Sequence, residues 1–217
     1  MTDAEQAARF QADKDRKLAN YRYMNRFVPR GQVLFTGSSL MEGFPVTEYC
    51  LNEGLPPAYN RGIGGYTTDE FLAAIDVMLL DPAPAKVFMN IGTNDIHLWP
   101  DGTDWLERLE GQLRRILTIL RASLPDTQVY LMAYYPVNPV CPQARDNKAL
   151  LVRTNANVDR ANLRVQALAE EFGVHYIDVN DGLKDAEGNL KAERTTDGMH
   201  MDAEAYRSVF ERLRPYL

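Results

Sequence analysis

Apolar positions follow two alternating rhythms along most of the chain. Short, nearly continuous apolar runs such as VLF, VFMNI and VYLMA are separated by longer segments in which apolar residues recur every three or four positions. A short continuous run is typical of a parallel strand covered on both faces, and the longer spacing is typical of a helix that lies on a sheet. The pattern therefore predicts an α/β fold built on parallel strands.

Strands and helices are expected to alternate from about residue 32 onwards. The strands are predicted at 32–36, 59–63, 86–91, 128–133 and 174–179. The helices are predicted at about 2–26, 68–80, 105–123, 149–172 and 203–216. Thr2 and Glu5 have the spacing of a capping box at the start of the first helix. Such an alternation implies right-handed crossovers, and ligands of these sheets bind at the carboxyl ends of the strands.

Polar clusters follow the predicted strands, where a ligand site is expected. They are Gly37-Ser38-Ser39-Leu40, Gly62-Ile63-Gly64-Gly65-Tyr66, Gly92-Thr93-Asn94-Asp95, Tyr134-Tyr135-Pro136 and, after a long loop, Asp197-Gly198-Met199-His200. Because the carboxyl ends of parallel strands share one edge, these clusters should converge. Two small serines at the end of an apolar strand indicate chemistry, since a packed core favours larger side chains there.

A serine hydroxyl becomes an effective nucleophile when a base accepts its proton and a third group orients that base. His200 suits the role of base, since it follows Asp197 by three residues and precedes the last helix, whose N-cap is predicted to be Asp202. His175 is predicted to be a hydrogen-bonded core residue of the fifth strand, and His97 is a pocket candidate. By itself, Asp-x-x-His is more often a capping turn than a catalytic pair.

Acyl transfer also needs hydrogen-bond donors aimed at the oxyanion that forms on attack. The candidates are the backbone N–H of the nucleophilic serine, a backbone N–H in the Gly64-Gly65 turn and the side-chain amide of Asn94. Each has a simpler explanation, since glycines often serve tight turns and asparagine often closes a strand. Taken together, clusters in this order, each after its own predicted strand, favour an active site.

Composition narrows the class of partner. The 217 residues suit one domain spanning 1–217, and acidic and basic residues are interspersed with a net charge of −6. This argues against nucleic acid or an anionic membrane as the main partner.

The charged N-terminus has no apolar signal core and no run approaches a membrane span, so a cytoplasmic protein is expected. Cys50 and Cys141 lack metal-site spacing and are expected to be buried reduced thiols, with a disulfide between them still open.

The clusters resemble the sequence blocks of a known family. Gly37-Ser38-Ser39-Leu40 is similar to the Gly-Asp-Ser-Leu block of the GDSL esterases and lipases, and three further clusters resemble those of the SGNH hydrolase superfamily. The resemblance implies Ser39 as nucleophile, His200 as general base and then acid, and Asp197 as its orienting partner. It also implies an oxyanion hole made by the Ser39 N–H, the Gly65 N–H and the Asn94 amide.

The same resemblance implies a fold and a chemistry. The fold is a three-layer α/β/α sandwich, flavodoxin-like, with a central parallel sheet of about five strands, and the chemistry uses neither a metal nor a cofactor. Two positions depart from the family pattern. Ser38 stands where the family has aspartate, and Tyr66 follows Gly65 where many relatives carry aspartate.

Aromatic residues near the clusters indicate what the pocket accepts. The residues expected to line it are Tyr66, His97, Trp99, Tyr134 and Met199. A shallow aromatic rim favours a short acyl group, such as acetyl on a sugar or a small alcohol, and so predicts a serine esterase. The alternative is a lipid hydrolase of the lysophospholipase or thioesterase type.

The sequence leaves open two other functional classes and a second possible packing partner for the N-terminal helix. GIGGYTTDEF partly matches the dinucleotide-binding pattern G-x-G-x-x-G, but Thr67 occupies its sixth position and no acidic residue ends the next strand. A non-catalytic binding module on the same fold is a further alternative. The apolar residues of the N-terminal helix are expected to pack on their own domain, with a homodimer contact as the alternative.

Overall fold

The computed structural model describes residues 2–217, in which five parallel strands form one sheet. The strands are β1 (Val33–Gly37), β2 (Tyr59–Gly62), β3 (Lys86–Asn90), β4 (Gln128–Met132) and β5 (His175–Ile177). Their order across the sheet is β2-β1-β3-β4-β5. The chain thus places β2 on one side of β1 and then crosses back to add β3, β4 and β5 on the other side. The crevice for a ligand is expected at this switch point, beyond the carboxyl ends of β1 and β3.

Helices cover both faces of the sheet. They are α1 (Asp3–Met24), α2 (Ser39–Glu42), α3 (Val46–Asn52), α4 (Thr68–Ala73), α5 (Trp105–Ser123), α6 (Asn155–Phe172) and α7 (Ala203–Leu213). One apolar core joins the sheet to α4, α5 and α6, and a second joins its other face to α2, α3 and α7. The fold is therefore the three-layer α/β/α sandwich that the family resemblance implies.

Aromatic rings fix the register of the central strands on the α7 side. Phe35, Phe88 and Tyr130 are aligned across β1, β3 and β4. Their rings stack with centroid separations of 4.7 Å at each step. A slip of one residue in any of these strands would turn its ring to the opposite face, so this register also fixes where each strand ends. The loops that follow β1 and β3 are placed accordingly.

Several element boundaries differ from the predictions. The helix predicted at 68–80 is α4 followed by a π-helical turn at Asp76–Leu80, and the helix predicted from 149 begins at Asn155 with Thr154 as its N-cap. Helix α3 was not predicted. The core position expected for His175 is wrong: this residue is exposed, because β5 is a three-residue edge strand, and its ring stacks on Tyr130.

Helix α1 packs on its own chain, as predicted. Thr2 and Glu5 form the expected capping box at its start. Further along, the Tyr21 hydroxyl donates to the Gly62 carbonyl at 2.8 Å, and the Lys14 ammonium lies 2.7 Å from the Glu70 carboxylate. These bonds hold α1 against the start of α4 and the end of β2.

The cysteine prediction is also confirmed, since Cys50 and Cys141 are buried free thiols. Burial raises the pKa of the Cys50 thiol. Within residues 2–217, no helix combines the length and the apolar character that a membrane crossing requires.

Candidate active site

The two serines after β1 have different environments. Ser38 is fully buried, and its hydroxyl has no hydrogen-bond partner among the described residues. Ser39 begins α2 and lines a pocket at the carboxyl edge of the sheet. The turn before them needs glycine, because a Cβ on Gly37 would lie 2.0 Å from the Asn90 carbonyl oxygen of β3. Because Ser38 is buried and Ser39 lines the pocket, Ser39 is the serine that a ligand can reach.

Ser39 is hydrogen-bonded to His200, and His200 to Asp197. The Ser39 Oγ lies 2.8 Å from His200 Nε2, and His200 Nδ1 lies 2.7 Å from Asp197 Oδ2. An ionised carboxylate only accepts hydrogen bonds, so it favours the tautomer with the proton on Nδ1. In that tautomer Nε2 is free to accept a proton from the Ser39 hydroxyl. The arrangement can therefore activate the serine as a nucleophile.

The loop that carries His200 is held at several points. Thr195 Oγ1 donates to the His200 carbonyl at 2.8 Å, and Asp202 caps α7 by accepting from the Ala205 N–H, as predicted. Burial would raise the pKa of the Asp197 carboxyl, but hydrogen bonds from the backbone and side chain of His200 outweigh it and lower the pKa below its ordinary value. Asp197 is therefore an anion at neutral pH.

Asn94 occupies a short turn after β3 and also lines the pocket. Its Nδ2 donates to the Tyr66 carbonyl at 2.9 Å, and its Oδ1 accepts from Arg153 at 3.0 Å. One of the two amide hydrogens remains available for a ligand. Among the described residues, the backbone N–H groups of Ser39 and Gly65 meet no acceptor either. Three donors are thus free at the pocket.

The turn at Gly64 and Gly65, called the glycine turn below, is hydrogen-bonded to the element that carries Ser39, and the turn after β3 that carries Asn94 is hydrogen-bonded to the start of α4. Gly64 N–H donates to Glu42 Oε2 of α2 at 2.5 Å. Asp95 accepts from the N–H of Thr68 at 3.0 Å and from its hydroxyl at 2.5 Å, which joins the β3 turn to the start of α4. Burial raises the pKa of the Asp95 carboxyl to about 6, against the lowering effect of its bonds with Thr68. Gly65 has φ of +74°, a conformation that favours glycine.

The pocket has a volume of about 410 Å³. It is lined by Phe10, Ser39, Gly64, Gly65, Thr67, Asn94, Met199 and His200. Helix α1, the glycine turn, the β3 turn and the His200 loop therefore all contribute to its wall.

The sequence agrees with a known family over most of its length. The sequence model of the GDSL-like lipase/acylhydrolase family matches residues 35–208. The chain belongs to this family. It is accordingly a carboxylic ester hydrolase, and this GDSL-like acylhydrolase has the fold that the resemblance implied.

Solved structures agree with the family assignment. A protein from Streptococcus pneumonia, solved under the provisional name platelet activating factor, is 30% identical, with a TM-score of 0.86 over 98% of this chain and 96% of its own. A GDSL-like lipase from Bacteroides thetaiotaomicron is 20% identical, with a TM-score of 0.73 over 92% and 97%. An acetylxylan esterase from Geobacillus stearothermophilus shares the fold at 17% identity, with a TM-score of 0.65 over 86% and 94%. No curated protein matches the chain in sequence.

Most aromatic residues expected in the pocket of the GDSL-like acylhydrolase lie elsewhere. Of the five predicted lining residues, Met199 alone lines the pocket described within residues 2–217. Tyr66 and Tyr134 are buried in the core, where the Tyr134 hydroxyl donates to the Ile91 carbonyl. The rings of His97 and Trp99 contact each other at a tilt, with their centroids 4.1 Å apart, and Trp99 packs under the Arg108 guanidinium. Tyr66 and Tyr134 thus belong to the core and Trp99 packs against it, where the apolar surface of the rings is removed from water.

Phe10, Thr67 and Arg153 were missed from the sequence as residues of the site. Phe10 was identified as an apolar residue of α1, but its place in the pocket follows from how α1 packs on the glycine turn. Arg153, which bonds Asn94, lies in a loop before α6. Arg153 falls in the segment predicted as the start of the helix at 149–172, where a single arginine carries no sequence signal of burial.

Proposed function

We propose that Ser39, His200 and Asp197 are the catalytic triad of an esterase that hydrolyses short acyl esters, such as acetyl on a sugar or a small alcohol. The observation that carries the proposal is the 2.8 Å separation of Ser39 Oγ from His200 Nε2, with Asp197 on the opposite ring nitrogen. A hydroxyl in contact with an oriented neutral imidazole is the requirement for an activated serine.

The reaction proceeds through an acyl-enzyme. Ser39 Oγ forms a bond to the ester carbonyl carbon while its proton passes to His200 Nε2. The carbonyl oxygen becomes an oxyanion that accepts hydrogen bonds from the N–H groups of Ser39 and Gly65 and from the Asn94 amide. His200 then donates its proton to the alcohol oxygen as the ester C–O bond breaks. Water, activated by His200, attacks the acyl carbon, and the acid leaves as Ser39 recovers its proton.

The space in the pocket is evidence for the proposal that the acyl group is short. A Cβ built on Gly65 would lie 2.3 Å from the Phe10 ring, so the ring already packs directly on this glycine and limits the space beside it. The leaving alcohol must lie near His200 to receive its proton, which directs the acyl group away from His200. The acetylxylan esterases that share the fold act on acetyl esters, in agreement with this size.

A lipid hydrolase of the lysophospholipase or thioesterase type is the second candidate. The observation that favours it is the apolar rim formed by Phe10 and Met199, both of which line the pocket. The two candidates differ in their dependence on acyl length. A series of p-nitrophenyl esters from acetyl to dodecanoyl separates them, since the first predicts that kcat/KM falls beyond butanoyl and the second that it rises.

The triad is tested with a fluorophosphonate probe, with the adduct located by peptide mass spectrometry. We expect a single adduct on Ser39 that is lost in Ser39→Ala and in His200→Ala. Ser38→Ala is the matched control, since this neighbouring hydroxyl is buried and should leave labelling intact. An adduct on Ser38, or one that persists in His200→Ala, would contradict the proposed triad.

A further inference from the structure

Arg153 is a buried arginine in contact with Asn94. Its side chain and backbone together are only 5% exposed. One guanidinium nitrogen donates to Asn94 Oδ1 at 3.0 Å, another contacts the Met199 sulfur, and Nε has no partner among the described residues. The backbone before α6 holds it in place, with the Arg153 N–H donating to the Ala149 carbonyl at 2.9 Å. Arg153 thus touches the β3 turn and the His200 loop at once.

The charge of Arg153 is not neutralised by direct contact. Burial lowers the pKa of its guanidinium to about 10, so the group is still a cation at neutral pH. Asp95 and Asp197 attract it through space, but no carboxylate in the described part of the chain forms an ion pair with it. Burying a cation without an ion-pair partner is costly, and a core built only for stability would avoid it. Packing and stability alone therefore do not explain why an arginine is buried at this position.

The contact with Asn94 determines which way the amide points. A guanidinium has donors and no acceptor, so it can bond only the Oδ1 end of Asn94. The Tyr66 carbonyl has only acceptor capacity, so it bonds only the Nδ2 end. With both ends assigned, the second Nδ2 hydrogen is left for the pocket that Asn94 lines. A flipped amide would place an oxygen there and repel an oxyanion.

We propose that Arg153 is the positioning residue of the oxyanion hole, which holds the Asn94 amide with its N–H towards the substrate. The inference rests on the proposed function, because it acts only if an oxyanion forms at Asn94. A donor that is already oriented needs no reorganisation during the reaction, and this is the main source of oxyanion stabilisation.

The test compares Asn94→Ala, Arg153→Met and the double variant on a short p-nitrophenyl ester. We expect Asn94→Ala to lower kcat about a hundredfold or more. Arg153→Met should lower kcat by about tenfold to a hundredfold with KM nearly unchanged, since the oxyanion exists only in the transition state. Because Arg153 acts through Asn94, the double variant should be no more than about twofold slower than Asn94→Ala.

Two further variants separate positioning from a structural role. Arg153→Lys keeps a charged donor and should recover part of the lost kcat. Arg61→Met is the matched control: Arg61 is equally buried, at 4% exposed, but bonds Asn25 and its own strand, and its loss should leave kcat within about twofold. Denaturant unfolding of each variant shows whether lost kcat follows lost stability.

The outcomes distinguish the inference from the proposed function. If Asn94→Ala keeps full kcat, the oxyanion assignment fails and the inference fails with it. If Asn94→Ala is slow but Arg153→Met is not, the inference alone is overturned. Additive effects in the double variant, or equal losses of kcat in Arg153→Met and Arg61→Met, would also overturn it, because they indicate a role independent of Asn94.

Discussion

Asp197 bonds His200 twice, through a different carboxylate oxygen each time. Its Oδ2 lies 2.7 Å from His200 Nδ1, and its Oδ1 accepts from the His200 backbone N–H at 2.8 Å. The Met199 backbone N–H donates to the same Oδ1 at 2.9 Å. The backbone bonds keep the carboxylate from rotating, so the ring of His200 is held at a fixed angle to Ser39.

This relationship predicts a severe effect of Asp197→Asn. The asparagine oxygen should remain on the two backbone N–H groups, which leaves the amide NH₂ facing His200 Nδ1. His200 would then carry its proton on Nε2 and could not accept one from Ser39. We expect kcat to fall by about three to four orders of magnitude in an ester hydrolysis assay at pH 7, with little change in stability.

Asp202→Asn is the control for that change. It makes the same carboxylate-to-amide substitution five residues further along, at the N-cap of α7, where asparagine is an equally good cap. Its activity should stay near that of the parent. Comparable losses in both variants would indicate that the loop is sensitive to any change of charge and that Asp197 does not set the tautomer.

The position of Phe10 predicts a change of substrate preference in Phe10→Ala. Removing the ring from above Gly65 should open the pocket, and each methylene then buried contributes about 0.8 kcal/mol. We expect the ratio of kcat/KM for octanoyl over acetyl esters to rise about tenfold or more. Tyr23→Ala, an exposed aromatic further along α1, should leave the ratio unchanged. An unchanged ratio in Phe10→Ala would place the acyl group elsewhere.

The raised pKa of Asp95 predicts that the stability of the protein depends on pH. Its pKa is raised by burial from the ordinary 3.8 to about 6, so between these values the folded protein holds a proton that the unfolded chain has lost. The free energy of unfolding therefore falls as pH rises through this window. The difference of about two pH units corresponds to roughly 3 kcal/mol.

Urea unfolding from pH 4 to 7 tests this effect in the parent and in Asp95→Asn. Asparagine does not titrate, so the stability of the variant relative to the parent should increase with pH and level off above pH 6. A relative stability that is flat or decreases with pH would show that Asp95 is ionised in the folded protein at all these values.

Helix α1 predicts the oligomeric behaviour of the chain. Its inner side is occupied by contacts within the chain, and Tyr23 and Phe27 are exposed on its outer side and beyond its end. We expect Tyr23→Glu/Phe27→Glu to leave the mass measured by light scattering unchanged. Dissociation of a larger species in this variant would instead identify the outer side of α1 as a homodimer contact.

Local patterns determined a large part of the fold. The apolar runs of β1, β3 and β4 need no long-range information, because a strand covered on both faces is apolar throughout. Helix α5 begins and ends where predicted, since its stripe of leucines and isoleucines has an unambiguous helical period. The Asp202 cap and the Thr2 capping box also depend only on residues three positions apart.

Errors occurred where burial depended on distant parts of the chain. His175 was placed in the core because its neighbours are apolar, but β5 lies at the sheet edge and leaves it exposed. Tyr134 was placed in the pocket because it follows a strand, but the ring turns inward to reach the Ile91 carbonyl. Neither sheet order nor ring direction can be read from a local pattern.

The sequence by itself determined the chemical groups of the site, their order and the strand that each one follows. Only the tertiary structure decided that Phe10 lines the pocket and that Arg153 is buried against Asn94. The physical reason is how far apart along the chain the contacting groups lie. Strands, helices and caps form through contacts between near neighbours in the chain, whereas the packing of α1 on the glycine turn and the burial of a charged loop residue depend on surfaces that meet only in the folded protein.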